Sequence, residues 1–153
     1  MEIKIKSFKA TEEPDNSIPI YVDGSYNQET EEYAYGMVVV KEDGSVEEYS
    51  DKFNDPDLKS MWNVAGEIMG SCAAMQYALD YEIPAITIYH DYEGISKWPM
   101  GLWKANKEGT KAYVNFYNEV AKRVKIKFVK VKGHSGDKYN NMADKLARAA
   151  LGL

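Results

Sequence analysis

Cysteine is nearly absent: Cys72 is the only one in 153 residues, so no internal disulfide can form and a reducing cytoplasm is the expected home. Histidine is almost as scarce, with only His90 and His134. The chain therefore holds no Cys/His cluster of the kind that binds zinc, and the acid spacing of an EF-hand is missing too. Long apolar runs are lacking as well. None exceeds four residues, as in Met37-Val38-Val39-Val40, far short of the ~20 residues that cross a bilayer. Met1-Glu2-Ile3-Lys4-Ile5-Lys6 alternates charged and apolar residues and has no signal-peptide core. There is no internal repeat and no low-complexity tract. These absences point to a cytoplasmic protein with no membrane association. Nothing implies a protein partner, so a monomer is expected.

What is present is an ordinary globular composition, 44% hydrophobic, in a chain of one-domain length that can bury a sizeable core. Its charge is unevenly placed. Residues 1–96 hold six basic and twenty acidic side chains, whereas residues 97–138 hold eleven basic and three acidic. A polyanion-binding face beside an acidic metal pocket would produce this split, and so would an unevenly charged surface of no special purpose.

Residues 1–17, with the polar run Glu12-Glu13-Pro14-Asp15-Asn16-Ser17, read as an edge strand or a linker, and residues 18–153 as the working domain. Ile20 and Val22 alternate with Tyr21 as a strand that Asp23-Gly24-Ser25 should close in a turn. Ala34 to Val40 is a second strand; Asp43-Gly44 turns the chain into a third, Val46 to Phe53. Val64, Ile68, Cys72, Met75 and Leu79 recur at helical spacing as one apolar stripe, and Pro84 follows that helix. Ala85 to Tyr89 reads as a buried strand, which a crossover helix makes the parallel neighbour of the first. A second helix carries Tyr113, Phe116, Tyr117 and Val120. Val124, Ile126 and Phe128 form a fifth strand, and a last helix from about Asn141 presents Met142, Leu146 and Ala149 on one side. The order β-β-β-α-β-α-β-α predicts an α/β domain, a five-stranded mixed sheet flanked by helices.

On that scaffold Asp23 closes the first strand and Asp91 follows the fourth. If those strands are parallel neighbours, both carboxylates leave the same sheet edge, where open α/β sheets bind ligands. Glu67 lies on the first long helix between Gly66 and Gly70, and Asp144 in about the first turn of the last helix. Four carboxylates at one edge repel each other unless cations neutralise them. Hard divalent cations with oxygen ligands fit best, and two of them ~3.5–4 Å apart can activate water and stabilise a phosphodiester's leaving oxygen. Each acid also has a plainer reading: Asp23 as a turn residue, Asp91 as the start of a loop, Glu67 and Asp144 as helix-surface charges.

These motifs resemble the ribonuclease HI family in order and separation. Tyr21-Val22-Asp23-Gly24-Ser25 is similar to its strand-end Asp-Gly-Ser. Gly66-Glu67-Ile68-Met69, with Ala73-Ala74-Met75, is similar to its Glu-bearing helix, and Tyr89-His90-Asp91 to its second strand-end aspartate. Val131-Lys132-Gly133-His134-Ser135-Gly136 and Asn140-Asn141-Met142-Ala143-Asp144-Lys145-Leu146-Ala147 resemble its closing loop and helix. The likeness covers about residues 18–151. Tyr92-Glu93-Gly94-Ile95 through Lys104-Ala105-Asn106-Lys107 is most similar to a bacterial subgroup whose nuclease domain often follows an N-terminal hybrid-binding domain.

The resemblance implies a ribonuclease H-like fold and hydrolysis of the RNA strand of RNA–DNA hybrids, leaving 3′-hydroxyl and 5′-phosphate ends. It implies Asp23, Glu67, Asp91 and Asp144 as ligands of two Mg2+ ions, with Mn2+ a possible substitute, and His134 as an aid to proton transfer or product release. Backbone groups of Gly24 and Ser25, with Glu67 and Asn63, are its candidates for reading the 2′-hydroxyl, which distinguishes RNA from DNA. Lys97, Trp98, Trp103, Lys104 and Lys107 form an aromatic and basic cluster that could grip the DNA strand, although the tryptophans could equally just pack. His134 between glycines could be a solvated loop residue. Three departures stand out: the acidic first loop Tyr26-Asn27-Gln28-Glu29-Thr30-Glu31-Glu32, His90 and Tyr92 flanking Asp91 in place of small hydroxyl residues, and a third helical stretch too short for the family's full basic protrusion. The competing readings are a catalytically silent hybrid-binding module and a related-fold nuclease of other duplex specificity. A doubly wound phosphatase would need an Asp-x-Asp nucleophile motif that Asp23-Gly24-Ser25 does not supply.

Overall fold

In the computed structural model, which describes residues 1–6, 8, 17–132 and 137–153, three consecutive strands form an antiparallel meander: β1 (Ile18–Asn27), β2 (Glu32–Val40) and β3 (Val46–Phe53). Asp43 caps the second turn, its Oδ1 accepting from the Ser45 amide at 2.9 Å, while Gly44 takes the φ of 87° that this turn requires. A short helix α1 (Pro56–Lys59) leads into the long α2 (Asn63–Asp80), which crosses to β4 (Ala85–His90). Beyond it come α3 (Gly94–Lys97), α4 (Glu108–Val120), β5 (Lys125–Lys130) and α5 (Lys138–Ala150). The sheet order is β3-β2-β1-β4-β5, with β4 parallel to both β1 and β5. This is the expected five-stranded mixed sheet, with α2 and α5 packed on it. Among the described residues no helix is long and apolar enough to cross a membrane.

Several details differ from the reading by pattern. The Asp23-Gly24-Ser25 triplet does not end its strand. β1 pairs with β4 only through Tyr21↔Tyr89 but continues against β2 to Asn27↔Glu32, because the antiparallel ladder satisfies the backbone that a turn would otherwise have to satisfy. Asp23 is thus held on a two-stranded extension of the sheet.

The apolar positions of α2 are not one stripe. Residues 65–75 are all buried, together with Tyr77 and Ala78, because the helix lies on β1 and β2 while α4 packs on its other side. Its approach depends on glycine. A Cβ at Gly24 would collide with the backbone of Asn63 and Glu67, and one at Gly66 with the Ala34 carbonyl.

The last helix begins earlier than Asn141, capped by Asp137, whose Oδ1 accepts from the Tyr139 and Asn140 amides at 3.0 Å each. That places Asp144 in its second turn, not the first. The buried face is Asn140, Ala143 and Ala147, with Ala149 exposed. These small residues let α5 sit against Gly36, where a Cβ would strike the Ala143 carbonyl.

The described part of the N-terminal segment is neither a strand nor a free connection. Ile3 and Phe8 join the core, the Phe8 amide donates to Asp80 at 2.6 Å, and the Phe8 ring meets Tyr49 edge-on at 4.8 Å.

A candidate carboxylate site at the sheet edge

Three carboxylates converge where β1 and β4 part. Oxygen atoms of Asp23, Glu67 and Asp91 all lie within 4.8 Å of one another. β1 supplies the first, α2 the second, and the residue just past β4 the third. Asp23 is 8% and Glu67 3% exposed. Glu67 is fixed by backbone donors, its Oε1 accepting from the amides of Asp91 at 2.9 Å and Tyr92 at 3.3 Å. Asp23 accepts from the Gly24 amide at 2.9 Å. Asp144, on α5, comes close enough to Asp23 to raise its pKa through charge and a shared hydrogen bond. Its outer oxygen is held by Arg148 Nη2 at 3.0 Å, an i,i+4 pair on the helix surface.

The electrostatics follow from this crowding. Burial, with the neighbouring charge of Asp91 next, pushes the Asp23 carboxyl up to about 8. Burial, then Asp91 and Asp23, raises Glu67 well above the usual carboxylate range. Without a cation the cluster must hold protons, because like charges this close cannot all ionise in a poorly solvated place. Hard divalent cations suit this donor set: the ligands are all carboxylate oxygens, already oriented by backbone amides, and no thiolate or imidazole joins the described cluster.

His90, immediately before Asp91, is fully buried. Its Nδ1 donates to the Tyr92 carbonyl at 2.9 Å, and burial lowers its pKa. It holds the end of β4 in place as a neutral ring.

A groove of about 610 Å³ opens beside the cluster. It is lined by Gly24, Ser25 and Asn63, as the sequence led one to expect, together with Asp144. It is also lined by Tyr26 and Trp62, which pattern reading did not single out, because nothing in the local sequence marks a tryptophan before a helix as exposed. Arg148 was readable, since it lies four residues after Asp144.

The aromatic and basic cluster does not line this groove. Trp98 is only 9% exposed, enclosed by Tyr92 and by Trp103 at ring distances of 5.8 Å, so it is a packing residue and not a surface for a strand of DNA. Trp103 is half-buried, with Lys97 Nζ 5.3 Å from its ring. Lys97 also binds Glu93 at 2.9 Å. Lys104 and Lys107 are exposed. His134 lies outside the described residues.

Comparison with known proteins agrees with this geometry. The family model described as RNase H matches residues 15–152. A ribonuclease HI of Synechocystis sp. is 30% identical over 147 residues, covering 88% of each chain. A ribonuclease H of Wolbachia, from Drosophila simulans, is 25% identical over 88% of this chain and 94% of its own. Among solved structures, the RNase H1 of Halobacterium salinarum superposes with a TM-score of 0.74 at 23% identity, over 89% of this chain and 98% of that one. A metagenomic enzyme from compost, LC11-RNase H1, crystallised in complex with RNA/DNA hybrid, gives a TM-score of 0.67 at 18% identity, over 88% and 99%. Likeness at these structural identities speaks to the fold.

Proposed function

The chain belongs to the RNase H family and hydrolyses the RNA strand of RNA–DNA hybrids; from that premise we propose that Asp23, Glu67, Asp91 and Asp144 hold two divalent cations, magnesium in the cell with manganese able to replace it. The observation that carries this reading is the convergence of Asp23, Glu67 and Asp91 oxygens within 4.8 Å at the open end of a parallel strand pair. When bound, the ions would activate the attacking water and stabilise the departing 3′-oxygen, leaving a 5′-phosphate.

The protein's own groups prepare this chemistry. Amides of Asp91 and Tyr92 fix the Glu67 carboxylate, Arg148 steadies Asp144, and the Gly24 amide orients Asp23. Such preset donors mean that little reorganisation is needed on binding. Gly24, Ser25 and Asn63, beside the cluster, would test for a 2′-hydroxyl next to the scissile phosphate. His134 is assigned to proton transfer or product release, and exposed Lys104 and Lys107 to the phosphates of the DNA strand beyond the groove, with Lys97 and Trp103 beside them. The protein works as a monomer in the cytoplasm, where its lone, buried Cys72 needs no oxidising environment.

The test is cleavage of a hybrid labelled on either strand, in magnesium or EDTA, by wild type and Asp23→Asn. Metal-dependent cutting of RNA alone, lost in the variant, is expected. Hybrid bound but never cut would favour a silent binding module; cutting of other duplexes instead would remove the specificity.

A further inference from the structure

Trp62 lines the groove beside the carboxylates without belonging to the cluster. Its side chain is 57% exposed, an unusual state for a large aromatic ring. Its backbone has φ 55° and ψ −128°, a left-handed region that non-glycine residues rarely enter and that is costly to hold. Local bonds hold it there: its amide donates to the Lys59 carbonyl at 3.2 Å and its carbonyl accepts from Ala65 at 3.0 Å. The side chain makes no capping hydrogen bond to α2. It therefore gives the free protein little burial and no side-chain cap, while its backbone is strained.

What it does have is a position. The indole stacks on Tyr26, rings 6.2 Å apart and 18° from parallel, making a flat aromatic wall facing the same space as Ser25, Asn63 and Asp144. Among the described residues, no lysine or arginine lines this groove, whereas Glu29 and Asp144 do. Away from the carboxylate cluster and the cations it would hold, a phosphate would find no cationic side chain among these lining residues. In a paired duplex the bases are stacked on one another, so an aromatic wall can meet only the sugars that border the minor groove. A ribose pressed against such a face would bury its 2′-hydroxyl without a partner, at a cost; a deoxyribose presents only C–H there.

We propose that Trp62, backed by Tyr26, is a specificity-determining contact that lies against deoxyribose of the DNA strand opposite the cut RNA. The proposal rests on the groove being the seat of the hybrid. The polar wall of Ser25 and Asn63 then requires a 2′-hydroxyl on one strand, and the aromatic wall selects against it on the other.

The experiment compares wild type with Trp62→Phe, Trp62→Ala and Trp62→Gly, reading KM and kcat on a hybrid together with Tm. For Ala and Gly, KM should rise about tenfold, with kcat within about twofold. Phe should stay close to wild type. Gly should melt no lower than Ala, since glycine accepts this φ without strain. In a second arm, single ribonucleotides are walked along the DNA strand. Wild type should show a position where the added 2′-hydroxyl raises KM, and Trp62→Ala should lose that penalty. Unchanged KM in Ala and Gly, a fall in kcat alone, or the same ribonucleotide profile in both proteins would overturn the proposal. A wild-type protein that leaves the hybrid uncut removes the activity itself, and this contact with it.

Discussion

Asp23 shows how a single side chain ties stability to chemistry. Its carboxyl titrates near 8 in the folded protein against 3.8 for the free group, through burial first and Asp91 second. The folded state therefore binds a proton that the unfolded state has released over most of that interval. Without metal, the stability due to this group is complete below about pH 4 and is lost as the pH rises through about 8. The expected result in EDTA is a Tm that falls steadily from pH 5 to pH 9. Asp23→Asn, which removes the charge, should flatten that decline while abolishing cleavage. Added magnesium should raise the Tm of wild type, most strongly at the alkaline end, because a cation replaces the protons the cluster would otherwise hold. A flat wild-type profile in EDTA would mean that the carboxylates are better solvated than the geometry shows. Glu67→Gln should cost activity as severely as Asp23→Asn, yet keep the hydrogen bonds from Asp91 and Tyr92, so it should remain folded by circular dichroism.

At the scale of elements, the site depends on how closely two helices approach the sheet. α2 reaches β1 over Gly24 and Gly66, and α5 reaches β2 over Gly36. One carries Glu67 and the other Asp144. A methyl group at Gly24 meets backbone, which cannot swing aside, so Gly24→Ala should destabilise by about 1–3 kcal/mol or more, a Tm loss of roughly 2–4 °C per kcal/mol for a chain this size. Gly36→Ala should lower Tm similarly and also reduce kcat, since displacing α5 moves Asp144 away from Asp23. Thermal melts alongside single-turnover cleavage separate the two effects. Loss of stability with kcat intact would show that Asp144 can be reached from a shifted helix.

For the whole molecule, the uneven charge acquires a location. The acidic half of the chain builds the carboxylate cluster, while the basic stretch runs from α3 through β5 and leaves Lys104, Lys107, Lys125 and Lys127 exposed. Affinity for hybrid should therefore weaken with salt, and replacing Lys104 and Lys107 by alanine should make the log–log salt dependence shallower by roughly 0.7–0.9 for each lysine that meets a phosphate. An unchanged slope would separate this stretch from the substrate. Trp62 belongs to the other side of this division: its contact is uncharged, and its loss should leave the slope as it is.

The linear sequence already carried the element order, the parallel pairing of β1 with β4, and the strand and helix positions at which Asp23, Glu67 and Asp91 converge. These follow from period-2 and period-3.6 hydrophobicity and from the handedness of a crossover connection, both of which are local in the chain. It also carried the Asp144–Arg148 pair, a matter of helical spacing. It took the folded molecule to decide that β1 runs on past Asp23, since a partner strand and not the turn-like triplet satisfies that backbone. Only it decided that α2 is buried nearly all round, that Trp98 packs while Trp62 stands in the groove, and that α5 buries its alanines in preference to Met142 and Leu146. Each of these depends on what lies across the gap from a residue, and a linear pattern of apolar and polar positions says which face is greasy without saying how close the next surface will come.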